Sequence, residues 1–512
     1  MSVDRLSLSH ARRFFAGTLL ATLCVKLLVA ATFPITGDEA FFYQWGVHPA
    51  WGYSDHPPMV GWWLAGLRWW GEHPLVLRSA TLLVTSVVAL GLVDLARRQL
   101  PAEQAAAAWW AGAVYLVLPW SWLFVLVTTD TPLVFWMAVS VWCFVRAEWS
   151  PRRYLAWYTA AGVALGLAFL SKYFAALLGL AYAVYVLGWR RDRWWVVLWV
   201  FCCALPSIAL TLVFNAHNGW MNIMFNFFNR NEGTHWQWET FATYLLMVGY
   251  LLTPWLVWQA WRGRPVGGGT PLGALRVVLW AFPLLVFALL SWRRSIGLHW
   301  VLGFVPLFVW WASARVGVAQ WRRSWWWTVG LSVPHVALVA ALAWVPLSWW
   351  SGSTWYEKAV FLRASDQVTL ALTQDMAPGQ RLMAYAYSPA AVLAYHHGRY
   401  VPVFGVARHH ARQDDLLVDF REWDRASVRV LVRGEPVLAD FEPYFDRVRV
   451  GFVEVAGVRY HHVDGQGFRF GVYRERVLAQ AAAQFHAVPA WLPMWGSPFC
   501  ERYGFEACGP NR

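Results

Sequence analysis

Residues 14–43 read FFAGTLLATLCVKLLVAATFPITGDEAFFY. The first twenty carry one charge, Lys26, and about 20 apolar residues suffice to cross a bilayer. Arg5, Arg12 and Arg13 precede the run, and the carboxylates Asp38 and Glu39 follow it. A cleaved signal peptide has a similar start. The many apolar blocks downstream favour an uncleaved first span with its N-terminus in the cytoplasm. The fold then reads as a polytopic bundle whose first loop opens, on the far side, with a pair of acids.

The rest of the chain agrees. Of 512 residues, 58% are hydrophobic and 14% charged, against about 25% charged in soluble proteins, which excludes a soluble globule, a disordered chain and a coiled coil. The net charge of +13 comes from 42 Lys+Arg against 29 Asp+Glu, and only Lys26, Lys172 and Lys358 are lysines. The arginines fall in short clusters between apolar blocks, as in cytoplasmic loops, and not in a stripe suited to nucleic acid. Such Arg-rich, Lys-poor usage points to a GC-rich bacterial genome.

Further spans are expected at 74–96, 104–122, 131–147, 154–171, 174–189, 194–214, 240–261, 273–291, 299–313 and 326–348, making eleven. With the N-terminus inside, Arg97/Arg98, Arg146/Arg152/Arg153, Arg190/Arg191/Arg193, Arg262/Arg264 and Arg315/Arg322/Arg323 all fall in cytoplasmic loops. The positive-inside rule is thus met throughout. The opposite loops, 36–73, 128–130, 171–173, 215–239 and 291–299, are mixed in charge and rich in His, Asn, Asp and aromatics. Chemically capable residues therefore gather on the outer face. Loop 36–73 reads as helices lying in the membrane interface.

Two domains are expected. Residues 1–350 form the transmembrane domain, and 351–512 a polar α/β domain outside the membrane. The latter has apolar runs at 381–387, 400–406, 428–432, 448–455 and 468–473 and helical patterns at 357–376 and 389–397. Cys500 and Cys508 lie there and could form a disulfide or remain two thiols. No CxxC or His-rich zinc spacing occurs among the six cysteines.

Several residues could do chemistry. Asp38–Glu39 suits a general base, although on the local sequence alone Thr36, Asp38 and Glu39 read first as the cap and first turn of a helix. Asp55–His56, before Pro57 and Pro58, could orient an imidazole, bind a metal or hold an anion, or simply stiffen a turn. Asp130 stands in TTDTP (128–132) and either caps a helix or joins a site. Lys172, in LSKYF (170–174), offers a point charge for phosphate or snorkels at a helix end. Tyr43, His217, Arg230, Arg293, Arg294 and His299 complete the outer set. Arginines there run against the positive-inside trend and suggest an anionic ligand or lipid headgroups.

In this order, GDEAFFYQW (37–45), WGYSDHPPMV (51–60), TTDTPLVFW (128–136), LGLAFLSKY (165–173), FNAHNGW (214–220) and the Arg293–Arg294…His299–Trp300 stretch resemble the GT-C membrane glycosyltransferases of the protein mannosyltransferase and lipid A aminoarabinose transferase superfamily. The likeness covers roughly residues 10–350. It implies transfer of a sugar, with inversion, from a polyprenyl-phosphate carrier to a lipid, glycan or protein acceptor at the outer, periplasmic face of a bacterial inner membrane. It implies Asp38 as catalytic base, Glu39 as its orienting neighbour, Asp130 as a second acid of the site and Lys172 at the carrier phosphate.

The sequence departs from aminoarabinose transferases in having Ala40 and Phe41 where an Arg commonly follows the acid pair. It also has His56 before Pro57 where they have a lysine, so His56 would share the phosphate contact. Asp55, Tyr43, His217, Arg230, Arg293, Arg294 and His299 are then expected to bind the donor. A divalent ion could be held by Asp38, Asp130 and His56, but nothing requires one. The rival reading is a transporter or flippase of a lipid-linked sugar, which would place charges inside the spans and show inverted repeats; few such charges and no repeat are seen. A membrane scaffold with an outer sensing domain leaves the one-sided cluster unexplained.

Overall fold

The computed structural model describes residues 2–229, 235–265, 271–407 and 411–508. In chain order its helices are α1 (Ser2–Thr32), α2 (Gly37–Val47), α3 (Met59–Leu67), α4 (Pro74–Gln99), α5 (Ala105–Leu116), α6 (Asp130–Trp149), α7 (Tyr154–Phe169), α8 (Ala176–Trp189), α9 (Trp195–His217) and the short α10 (Met221–Ile223). There follow α11 (Trp238–Leu252), α12 (Pro254–Arg262), α13 (Pro271–Ser291), α14 (Val305–Ser313), α15 (Val318–Trp344), α16 (Tyr356–Arg363), α17 (Ser365–Thr373), α18 (Tyr387–His397), α19 (Asp414–Leu417), α20 (Phe470–Tyr473), α21 (Ala479–Phe485) and α22 (Pro498–Tyr503). Strands β1 (Arg381–Ala384), β2 (Val428–Leu431), β3 (Arg447–Val455) and β4 (Val458–Gln466) lie between α17 and α20.

The chain is an integral membrane protein. Among the described residues, α1, α4, α9, α13 and α15 are long and apolar enough to cross a bilayer. The pair α11 and α12, bent by 79°, makes a sixth if it counts as one broken span. The bend falls at Thr253, whose φ of +58° is uncommon for a β-branched residue, and Pro254 follows it. Every expected span lies on a helix or a pair of helical segments; α7, α8 and the segment ending in α14 are shorter apolar helices.

The chain forms two compact units. The first comprises Met1–Thr32, Gly71–Ala209 and Gly233–Ala341, and the second Phe33–Trp70, Leu210–Glu232 and Leu342–Arg512. In the first unit α4 supplies a polar row toward α1. Lys26 Nζ donates to Thr85 Oγ1 at 2.7 Å, and Arg78 Nη1 to the Ala30 carbonyl at 3.0 Å. Lys26, Arg78 and Arg276 are all buried within helices, which adds three interior cations to a bundle read from sequence as nearly free of them.

In the second unit a four-stranded sheet runs in the order β1-β2-β4-β3, with β1 and β2 parallel and the other pairs antiparallel. Side chains alternate across it. Met383, Val428, Val430 and Val463 enter one apolar cluster, and Leu382, Ala384 and Leu431 the other. The β3–β4 hairpin closes through Ala456 and Gly457, both at positive φ, as a tight primed turn requires. Phe33–Trp70 belongs here because α2 packs on α18: Ile35 and Ala40 meet Ala391 and Val392, with Phe41 and Tyr395 alongside.

The sequence reading of this region needs three corrections. Residues 468–473 are not a strand: 470–473 form α20, and the helical path continues through 474–478 into α21. Tyr473, Val477, Leu478, Ala481, Ala482 and Phe485 recur at helical spacing and are all buried. Residues 400–406 give only one bridge, Ala384 to Val403, since Pro402 has no N–H to donate. Strand β4, where VRYHHVDGQ has little apolar alternation, was not expected at all. Cys500 and Cys508 are disulfide-bonded, which removes the alternative of two thiols.

Candidate active site

The second unit holds the acid pair. Thr36 caps α2 through a capping box: its hydroxyl accepts from Glu39 N at 3.3 Å, and Glu39 Oε2 accepts from Thr36 N at 3.1 Å. Glu39 is only 2% exposed, whereas Asp38 is exposed. Glu39 thus serves the helix end, and Asp38 lies outside the capping box. Tyr387 donates to Asp38 Oδ1 at 3.1 Å from the start of α18. Burial, then the negative charges of Asp38 and Asp55, pushes the Tyr387 phenol up to about 12, so it remains a donor at neutral pH. No sequence signal marked Tyr387, which lies 349 residues from its partner.

Asp55 and His56 lie side by side, with Nδ1 2.9 Å from Oδ2 at an angle outside hydrogen-bond range. Their segment is held by backbone tethers. Asn222 Nδ2 donates to the Tyr53 carbonyl and Asn226 Nδ2 to that of Asp55, each at 3.0 Å. Gln413 Oε1 accepts from Ser54 N at 3.0 Å. Tyr53 stacks on Trp45 with ring centroids 4.3 Å apart. Asparagines after α9 thus anchor this segment, and Gln413 is a second residue that sequence reasoning missed.

Tyr43 is buried, with the Arg68 guanidinium over its ring and Tyr395 edge-on at 4.9 Å. His217 is exposed at the end of α9, its Nδ1 3.0 Å from the Val213 carbonyl and its ring against Trp495. Arg230 lies outside the described residues.

The first unit holds Asp130, Lys172, Arg293, Arg294 and His299, all singled out in the sequence. Asp130 opens α6, where the helix dipole favours a carboxylate. Lys172 Nζ donates to both its oxygens, at 2.8 and 3.0 Å, and both side chains are buried. The same ammonium lies over the Phe174 ring, Phe174 meets Trp300 at 4.6 Å, and the Arg294 guanidinium lies over Trp300. Lys172 and Arg294 therefore flank one aromatic pair, an arrangement built from cation–π contacts. Arg293 lies over Trp236, and exposed His299 adjoins Trp300. Among the described residues, no three His, Cys, Asp or Glu side chains gather to hold a metal ion.

Residues 55–217 match the family model described as dolichyl-phosphate-mannose-protein mannosyltransferase. The fold matches the crystal structure of ArnT from Cupriavidus metallidurans bound to undecaprenyl phosphate, at a TM-score of 0.61 and 16% identity, covering 88% of this chain and 97% of that one. ArnT from the same organism in the apo state gives 0.59 and 15% over the same shares. The archaeal oligosaccharyltransferase AglB from Archaeoglobus fulgidus, in complex with an inhibitory peptide and a dolichol-phosphate, gives 0.45 and 12%, covering 87% of this chain and 74% of that one. A comparison with curated protein sequences finds no match. In sequence over 55–217 and in fold over most of its length, the chain resembles the GT-C membrane glycosyltransferases of the protein mannosyltransferase and lipid A aminoarabinose transferase superfamily.

Proposed function

We propose that this protein is an inverting glycosyltransferase that takes a sugar from a polyprenyl-phosphate carrier and places it on a lipid, glycan or protein acceptor. In this reading it works at the periplasmic face of a bacterial inner membrane, with 351–512 outside the membrane. The observation that carries the reading is the division of labour at the start of α2: Glu39 is committed to the capping box, and Asp38 stands exposed with a phenol on one oxygen. An acceptor hydroxyl attacks the anomeric carbon, its proton passes to the Asp38 carboxylate, and the bond to the carrier phosphate breaks with its electron pair. A well-placed base of this kind contributes about 10²–10⁴-fold. Lys172 and Arg294 would meet the departing phosphate charge, since preorganised cations act most strongly where charge develops. Asp130 holds Lys172 in place.

The test is transfer of label from a panel of radiolabelled polyprenyl-phosphate sugars into a membrane-lipid extract, by wild type and by Asp38→Asn. A new labelled product with wild type alone supports the reading. Equal product with both removes Asp38 from the role of base. Movement of the labelled lipid across a vesicle membrane without any new product would instead favour the flippase.

A further inference from the structure

The second unit contains a cavity of about 210 Å³ beside the start of α2. Gly37 forms part of its wall, one residue before Asp38. A side chain there would collide with Ser388 Oγ, so glycine lets α2 and α18 begin in close contact. Tyr387, which binds Asp38, is the residue before Ser388. Two of the segments that wall the cavity, 35–37 and 385–392, are therefore next to or include the Asp38–Tyr387 pair.

The lining suits a sugar. Tyr385 supplies an aromatic face and a phenol, Ser388 a hydroxyl, Glu357 a carboxylate, and Lys358 and Arg433 two cations, while Tyr460 is a buried part of the wall whose phenol donates to the Glu357 carbonyl at 3.4 Å. Tyr385 is 42% exposed, and Glu357, Lys358 and Arg433 are exposed too. No salt bridge ties those three charges to one another among the described residues. Tyr385 lies within electrostatic reach of both Arg433 and Glu357. Aromatic rings take the C–H face of a pyranose, and a carboxylate and a guanidinium bridge neighbouring hydroxyls or an anionic substituent. The volume falls below the about 300–1,000 Å³ of drug-sized pockets, which fits a single ring. Two cations against one acid favour an acidic ring.

We propose that this cavity binds one acidic sugar unit, a uronic or phosphorylated pyranose, of the acceptor, beside the hydroxyl to be glycosylated. The acceptor role rests on the transferase reading above; the sugar binding does not.

The test uses the full chain in lipid nanodiscs, so that no sugar-headed detergent competes. Saturation-transfer NMR is recorded with methyl glucoside, methyl glucuronoside and glucose 1-phosphate, with inorganic phosphate as competitor. The two acidic sugars should bind saturably and more tightly than methyl glucoside. Arg433→Ala should erase that preference, a loss of about tenfold, as for one charge-assisted contact. Tyr385→Ala should remove binding of all three. In transfer assays both variants should raise the acceptor KM and leave the donor KM unchanged. No saturable sugar signal, or a signal that both variants leave intact, overturns the proposal. So does complete competition by inorganic phosphate, which would mark a phosphate site. Sugar binding without transfer from any donor would keep the cavity as a sugar site and overturn the acceptor role.

Discussion

Lys172 Nζ lies 2.8 and 3.0 Å from the two carboxylate oxygens of Asp130, and neither residue is more than 7% exposed. This pair joins the start of α6 to the turn between α7 and α8. A buried ion pair is weak evidence for stability, because desolvation offsets much of the attraction. Its geometry is informative in another way: the lysine is fixed, and its remaining face lies over Phe174 on the way to Trp300 and Arg294.

Removing one partner should be costly and removing both should not. Lys172→Met or Asp130→Leu alone leaves a buried charge uncompensated, at about 3–5 kcal/mol. The double variant should regain most of that in thermal unfolding. Transfer activity then separates the roles. If Lys172 meets the carrier phosphate, the double variant folds and stays inactive. A double variant with wild-type transfer would leave the pair purely structural.

Asp38 and Glu39 should respond oppositely to the same chemical change. Asp38→Asn keeps an exposed side chain of nearly equal size and should fold normally while losing about 10²–10⁴ in kcat. Glu39→Gln retains the acceptor that the capping box needs and should remain close to wild type. Glu39→Ala should instead cost about 0.5–2 kcal/mol of stability, as cap losses do. Parallel melting curves and label-transfer rates check all three.

Much of this was legible in the sequence because it is local. Long apolar blocks, basic loops and the acid pair after the first block each carry their signal within a few residues. Asp130 and Lys172 could be singled out from their neighbours, yet their contact could not, since it spans 42 residues. Tyr387 and Gln413 were invisible for the same reason: an ordinary Tyr and an ordinary Gln matter only through Asp38 and Ser54, which the fold brings to them. Strand β4 was hidden by its histidines and arginine. One of those histidines, His462, is buried and lies 3.3 Å from Asp464 within the same strand.

Gln413 should act on the Asp55–His56 segment without touching a substrate. Ser54 is fully buried, and Gln413→Ala strips its N–H of the acceptor, a loss of about 1–3 kcal/mol. Transfer should fall in that variant. Lower stability with unchanged transfer would mean that residues 53–56 take no part in the reaction.

The pH dependence of the second unit should report on Arg429 and Asp464. Arg429 Nε and Nη2 donate to the two oxygens of Asp464 at 2.7 and 2.9 Å, from adjacent antiparallel strands. Burial raises the Asp464 pKa, but the bonds from His462 and Arg429 and their charges outweigh it and hold the carboxyl well below its usual range. A depressed pKa in the folded state means that folding favours the ionised form. The contribution is complete above the unfolded value of about 3.9 and fades as the pH falls from there toward the folded value. Asp464→Asn should therefore lower the unfolding midpoint at pH 7. The gap from wild type should shrink as the buffer is taken below about pH 4. Circular dichroism melts of the nanodisc-bound protein across pH 3–7 would measure it, and a gap that stays constant over that range would show that the ionised carboxylate adds nothing.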